Sequence, residues 1–405
     1  MVYDTSMKES LRKKLYAPAC MLLLMLCAYI LLHDLLGGTL FCHSDWDSYT
    51  LQALAWRAGR LDLGQNYEWL ELAVYNGKYF VSFPQTPALF MLPLTFLFGA
   101  DTPNNFIMML AAMGIAVCAY AVCRKLGMQR LQSALLALFY IWGCNMLWMS
   151  TNGGVWFQAQ GWNMLLLSLT LLCALYERWV PAYLFAALAV GCRPFSVCAF
   201  VPLTVYFLER AKGLKKSLRT LLPCLILPAL VACAYMALNY ARFGSVFEFG
   251  HNYLPEFTAS EHGQFSTVYL WSNLKNLFLR PVTFQNGRLS FTFFDGFMFY
   301  IANPLFLILF IRLLRGAFQK SVCPEWRLTR AALLFAMAAE LVLLCLHKTL
   351  GGWQFGARYT VDLLPMALGC LFTLGKWEIE SYEYALMGFG IAFNFYGCIA
   401  INLFT

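Results

Sequence analysis

The sequence predicts an all-α polytopic membrane protein, and three observations carry that expectation. Hydrophobic residues make up 60% of the 405-residue chain and charged residues only 12%. Mean hydropathy is +0.61. Apolar runs recur near the ~20 residues that a helix needs to cross a ~30 Å hydrocarbon core. Inside such a core every backbone amide must be bonded within its own segment, so these runs read as helices. Composition excludes a soluble enzyme. It excludes a nucleic-acid partner too, because the Lys and Arg behind the net charge of +8 gather between apolar runs, as they do in a protein oriented across a membrane.

Taken in order, the first run, 16–36, follows Lys8, Arg12, Lys13 and Lys14. No small-residue cleavage site follows it, so it reads as a retained span with a cytoplasmic N-terminus. Residues 37–104 form a long first outer loop. Its apolar stretch 84–99 cannot be a full crossing, because that would put Arg124 and Lys125 outside. It therefore reads as an interfacial or re-entrant helix. Further spans fall at 105–123, 131–149, 161–176, 220–240, 297–314, 331–347, 361–375 and 384–403. Basic clusters mark the cytoplasmic loops: Arg124, Lys125 and Arg130; Arg178; Arg210, Lys212, Lys215, Lys216 and Arg219; Arg312, Arg315, Lys320, Arg327 and Arg330. The run 180–208 has such clusters at both ends, so it must be a hairpin of two short helices turning near Gly191-Cys192-Arg193-Pro194. The total is about 11 transmembrane helices in one domain, 1–405, with outer segments at about 37–104, 241–296 and 348–360. The 15 cysteines show neither zinc spacing nor a disulfide framework, and within apolar runs a thiol behaves as a small hydrophobe.

Against so few charges, Ser44-Asp45-Trp46-Asp47-Ser48-Tyr49 stands out, because it places two carboxylates just beyond the first span. Asp47 or Ser48 suits an N-cap for a helix over 49–58. Asp45 has no such duty and is the preferred general base, while the Asp-x-Asp spacing also suits a divalent cation such as Mg or Mn. His43 reads as incidental. Glu68 and Glu71 are further outer carboxylates, expected on a short surface helix. Arg193 lies within the membrane, where a guanidinium costs on the order of 3 kcal/mol and faces protein or a wet cavity. Pro194 breaks the helix beside it, and an anionic headgroup is its expected partner. In Gly351-Gly352-Trp353-Gln354-Phe355-Gly356-Ala357-Arg358-Tyr359 the glycines permit tight turns, and the fork of Arg358 matches phosphate oxygens. Lys78 follows Asn76-Gly77, a tight turn between two short extended pieces. Arg242, at the outer end of its span, reads as a snorkelling anchor. Trp156, Phe157 and Gln158 fall in an expected outer loop, 151–160.

Together these features resemble the GT-C superfamily of glycosyltransferases that use polyprenyl-phosphate sugars. The likeness is greatest to bacterial members related to protein O-mannosyltransferases and to the aminoarabinose transferase of lipid A. It rests on an outer Asp straight after the first span with a Tyr four residues on, and on a small-residue helix ending in Gly59. A Lys before a Pro-led interfacial helix, the Gly-x-Arg-Pro hairpin and the late Gly-Gly…Arg-Tyr loop complete it. The resemblance implies a GT-C fold with Asp45 as catalytic base, and Lys78 and Arg358 as ligands of the lipid phosphate. This chain has Asp-Trp-Asp in place of the usual Asp-Glu, which leaves the base open between Asp45 and Asp47 and the metal unassigned. No large outer domain is expected at the C-terminus.

The expected activity is an inverting transfer from a polyprenyl-phosphate sugar donor to an extracytoplasmic acceptor, whether glycan, lipid or protein, in the cell membrane among its lipids. Lys78, Arg193 and Arg358 would bind the donor phosphate; Tyr49, Tyr79, Trp353 and Tyr359 would contact substrate. Two alternatives share these features. A transporter or lipid flippase also uses arginines in broken helices, although no internal repeat is present. A polysaccharide ligase would take a lipid-diphosphate donor.

Overall fold

The computed structural model describes residues 2–211, 214–319 and 324–403. Lys212 and Lys320, expected in cytoplasmic loops, lie outside the described residues. The helices in order are α1 (Val2–Leu35), α2 (Ser48–Arg57), α3 (Thr86–Phe98), α4 (Asn104–Lys125), α5 (Arg130–Trp142), α6 (Met146–Met149), α7 (Val155–Leu175), α8 (Trp179–Val190) and α9 (Phe200–Arg210). They continue as α10 (Leu214–Cys224), α11 (Ile226–Phe243), α12 (Pro255–Thr258), α13 (Thr267–Leu279), α14 (Phe299–Ala302), α15 (Leu305–Gln319), α16 (Arg327–Leu346), α17 (Leu364–Phe372) and α18 (Ser381–Leu403). Among the described residues, five helices are each long and apolar enough to cross a membrane: Leu15–Leu35 within α1, then α4, α11, α16 and α18.

The other expected spans differ from simple crossings, each for a local reason. The run 131–149 is split at Gly143 into α5 and α6. The run 361–375 opens as a 3₁₀ turn, Arg358–Leu363, before the short α17. The helix expected from residue 161 starts earlier, at Val155, after Gly153 and Gly154, so Trp156, Phe157 and Gln158 are helical rather than part of a loop. The expected helix around Glu68 and Glu71 is a turn leading into a strand.

The hairpin over 180–208 is present. Its two ends meet where Arg210, the last residue of α9, donates Nε–H to Glu177, just before α8, at 2.9 Å. Tyr183 and Thr204 bond across it at 3.0 Å. Its turn requires glycine: Gly191 offers its carbonyl to the Thr86 amide at 2.9 Å, and a Cβ there would collide with the Thr86 hydroxyl and Tyr235. The entry to α3 is thereby pinned to the hairpin.

Lipid tails give little hydrophobic drive to helix association, so close backbone approach through small residues does the work. Ala111, Ala112, Ala116, Ala182 and Ala186 are buried where α7 packs against α4 and α8, while Leu23, Leu31, Leu97 and Leu230 face outward. Outside the helices, strands β1 (Leu72–Tyr75) and β2 (Lys78–Val81) pair antiparallel. Asn76 (φ 49°) and Gly77 (φ 70°) make the left-handed two-residue turn expected of Asn-Gly. Strands β3 (Thr283–Gln285) and β4 (Arg288–Ser290) repeat the device around Asn286-Gly287, a hairpin the sequence reading did not anticipate. The late loop is tied to the centre by amides. Asn303 donates to Asn145 at 3.1 Å and to Thr360 at 3.0 Å, and Asn145 accepts from the Ala357 amide at 3.0 Å.

Candidate functional site

The first loop separates the two aspartates. Asp47 is buried and caps α2: Oδ1 accepts the amides of Tyr49 (2.9 Å) and Thr50 (3.1 Å), and Oδ2 accepts the Thr50 hydroxyl and the Asn104 amide (2.9 Å). Both oxygens are spent on structure, which leaves no free pair for an Asp-x-Asp chelate. Among the described residues, no group of three or more His, Cys, Asp or Glu gathers at metal-binding range. Asp45, two residues earlier, is exposed. Its backbone carbonyl accepts Trp69 Nε1–H at 3.1 Å, while no hydrogen bond or ion pair among the described residues engages its carboxylate. His43 is held by the Thr102 carbonyl at 3.0 Å.

Beside Asp45, aromatic rings line the approach. Trp46 and Trp156 lie 5.6 Å apart, and Trp156 donates to Glu71 at 3.0 Å. Glu71, Glu68, Tyr79 and Glu256 border a cleft of about 620 Å³. Burial raises the Glu71 carboxyl above the usual carboxylate range, against the hydrogen bond from Trp156.

Guanidinium groups gather behind this approach. Arg193 sits at the hairpin turn, Nε bonded to Asp362 at 2.9 Å and Cζ 4.5 Å above the Tyr359 ring. Arg193 is thus ion-paired to Asp362, where an anionic headgroup was the expected partner. Arg358 stacks on the same ring at 4.9 Å. It is buried, with Nε and Nη2 on the Gly351 carbonyl (3.0 and 2.7 Å) and Nη1 on Gln160 (2.9 Å). Gly351, at φ 118°, holds a conformation that only glycine adopts readily, and this is what turns its carbonyl to the arginine. Most of the Arg358 fork is thus committed to protein.

Arg242 was misread as a snorkelling anchor. It is 4% exposed, donates Nη2–H to the Val81 carbonyl and stacks on Phe243 at 4.6 Å. Its Nε and Nη1 have no partner among the described residues although both are buried. The physical reason is β1–β2, which folds over the end of α11 and covers the side chain that would otherwise reach water. Tyr49 is fully buried, its hydroxyl has no partner among the described residues, and the charges of Arg193 and Arg242 both act on it.

Of the other expected residues, Lys78 stands at the exposed tip of β1–β2, 3.6 Å from Asp62, and no contact joins it to the arginines. Trp353 is 57% exposed and stacks on Phe293 at 5.4 Å. Tyr49 and Tyr359 belong to the arginine cluster.

His251 and His347 complete the cluster and were not anticipated, because a lone histidine in a long loop carries no spacing signal. Their rings lie 6.0 Å apart, and His251 Nδ1 meets the Ser82 carbonyl at 3.3 Å. Burial, with His347 and Arg193 nearby, pushes His251 down to about 3. Its neutral form is favoured in the fold, so the unfolded chain binds the extra proton between its ordinary value near 6.5 and about 3. Stability on this account is complete above pH ~6.5 and falls as pH drops. Lowering pH from 7 to 5 is expected to cost up to about 2 kcal/mol. His251→Gln should flatten that slope, and thermal unfolding across the pH series measures it.

No family model matches the sequence, and no curated protein matches it. Among solved structures, ArnT from Cupriavidus metallidurans bound to undecaprenyl phosphate aligns with a TM-score of 0.54 at 15% identity, over 92% of this chain and 62% of that one. The apo state of the same protein aligns at 0.50 and 16% identity, over 90% and 61%. The chain thus spans about six tenths of the length of the structures it matches. At this identity the likeness speaks to fold alone, and the fold that the chain shares with those structures is that of a polytopic helical membrane protein.

Proposed function

We propose that the chain is an integral membrane glycosyltransferase that moves a sugar from a polyprenyl-monophosphate donor to a hydroxyl on an extracytoplasmic acceptor. The observation that carries this reading is Arg242, a buried guanidinium whose Nε and Nη1 have no partner among the described residues. Buried donors are ordinarily satisfied, so an arginine left this way is a preformed anion site, and its planar fork matches phosphate. The ArnT structure of the same fold was solved with undecaprenyl phosphate, which agrees with a lipid phosphate as that anion.

In this reading Asp45 takes the proton of the acceptor hydroxyl as its oxygen attacks the anomeric carbon from the face opposite the phosphate. The bond from that carbon to the phosphate oxygen breaks, and its electron pair stays with the leaving phosphate. Arg242 and Arg193 neutralise the charge that develops there. The configuration inverts. Arg358 braces the late loop and Lys78 contributes long-range charge. The site faces outward and the N-terminus is cytoplasmic, an orientation supported by the basic residues at the opposite helix ends. The capped oxygens of Asp47 do not fit a chelating pair, so no step is routed through Mg or Mn.

Purified protein in lipid, given a radiolabelled polyprenyl-monophosphate sugar and an outer-membrane-surface extract as acceptor, is expected to release polyprenyl phosphate at a rate insensitive to EDTA. Turnover only with a diphosphate donor would replace this reading with that of a ligase.

A further inference from the structure

A set of buried polar side chains behind Arg193 has no part in the step just described. Asp362, 1% exposed, accepts Arg193 Nε–H at 2.9 Å on one oxygen and Asn163 Nδ2–H at 3.0 Å on the other. Asn163 in turn accepts the Ser196 hydroxyl at 2.7 Å. These residues come from α7, from the 3₁₀ segment Pro194–Ala199 and from the turn Arg358–Leu363, so three separate elements agree on one position for the carboxylate. A guanidinium is planar with five N–H donors in a fixed fork. Tethering Nε to Asp362 and laying the plane against Tyr359 at 4.5 Å fixes where the other four point. The Nη groups of Arg193 make no hydrogen bond to protein among the described residues.

We propose that Asp362 is a positioning residue: it holds Arg193 by Nε so that the open Nη edge faces the lipid phosphate. This rests on the donor reading above, since it assigns the ligand of that edge. A second carboxyl nearby does not share this role. Glu340, on α16, is 0% exposed and has no hydrogen-bond partner on either oxygen among the described residues, whereas both oxygens of Asp362 accept donors, one of them from Arg193.

The test is binding of undecaprenyl monophosphate to the full chain in lipid nanodiscs, with thermal unfolding to check that each variant is folded. Asp362→Asn is expected to weaken binding about tenfold, and so is Arg193→Ala. The double variant should bind no more weakly than Arg193→Ala alone, because Asp362 acts only through Arg193. Glu340→Gln should stay within about twofold of wild type. If Asp362→Asn does not fold, Asn163→Ala, which frees one side of Asp362, should weaken binding about threefold. Wild-type affinity in the folded Asp362 or Asn163 variant, or additive losses in the double variant, overturns the positioning role while leaving the donor reading intact. No binding by wild type overturns the donor reading itself, and the positioning role with it.

Discussion

Asp45→Asn is expected to lower turnover by about 10²–10⁴-fold, the range that a positioned general base contributes, with the unfolding temperature unchanged. The asymmetry follows from what each aspartate touches. The Asp45 carboxylate bonds nothing among the described residues, so the amide replaces it without disturbing a contact seen there. Asp47 carries four hydrogen bonds at the start of α2. Asp47→Ala should therefore cost about 1–2 kcal/mol of stability, with activity falling only as far as folded protein is lost. Donor turnover and thermal unfolding, measured on both variants, separate the roles. Full turnover in Asp45→Asn would remove it as base, and a large loss of turnover in a stably folded Asp47 variant would transfer the role.

The second large effect is expected at Arg242, where stability and affinity should move in opposite directions. Replacing a buried charge with an apolar side chain of similar length is often neutral or stabilising, and here the contact given up is the hydrogen bond to the Val81 carbonyl. Arg242→Met should thus leave the lipid-free protein no less stable, and up to about 2 kcal/mol more so. Its affinity for polyprenyl phosphate should fall about 100-fold. That corresponds to about 3 kcal/mol, two charge-assisted hydrogen bonds at ~1.5 kcal/mol each. The diagnostic reading is the rise in unfolding temperature produced by added undecaprenyl phosphate, present in wild type and lost in the variant. Equal rises in both proteins would mean that the unpartnered N–H groups of Arg242 face no ligand, and the donor reading would lose its main support.

Local order explains what could be read early. Asn76-Gly77 gave its hairpin because only a few residue types hold positive φ. Gly191 and Pro194 gave the break in the 180–208 run because a proline cannot continue a helix and basic clusters at both ends forbid one crossing. Asp47 gave its cap because side-chain geometry two and three residues on decides it. Residues whose role depends on a distant partner were read less well. Arg358 looked free on an exposed loop, and Gly351 and Gln160 occupy most of its fork. Lys78 was grouped with the phosphate site on its turn and on the family resemblance, and Trp353 with the substrate site on its loop; among the described residues neither makes a contact with the arginines. Arg242 was read as a snorkelling anchor because only the packed β1–β2 covers it, and His251 and Asp362 were missed because nothing adjacent in sequence sets them apart.

The sequence by itself determined the membrane class, the outline of the helices, the broken hairpin and the two aspartates worth weighing. These follow from hydropathy, charge placement and backbone preference, which act over a few residues. Only the tertiary structure decided which aspartate is free, and that β1–β2 closes over Arg242. It alone brought Asn163, Ser196 and Asp362 from three elements to one guanidinium. Burial and hydrogen-bond satisfaction belong to the packed chain, and the chemistry of this site depends on both.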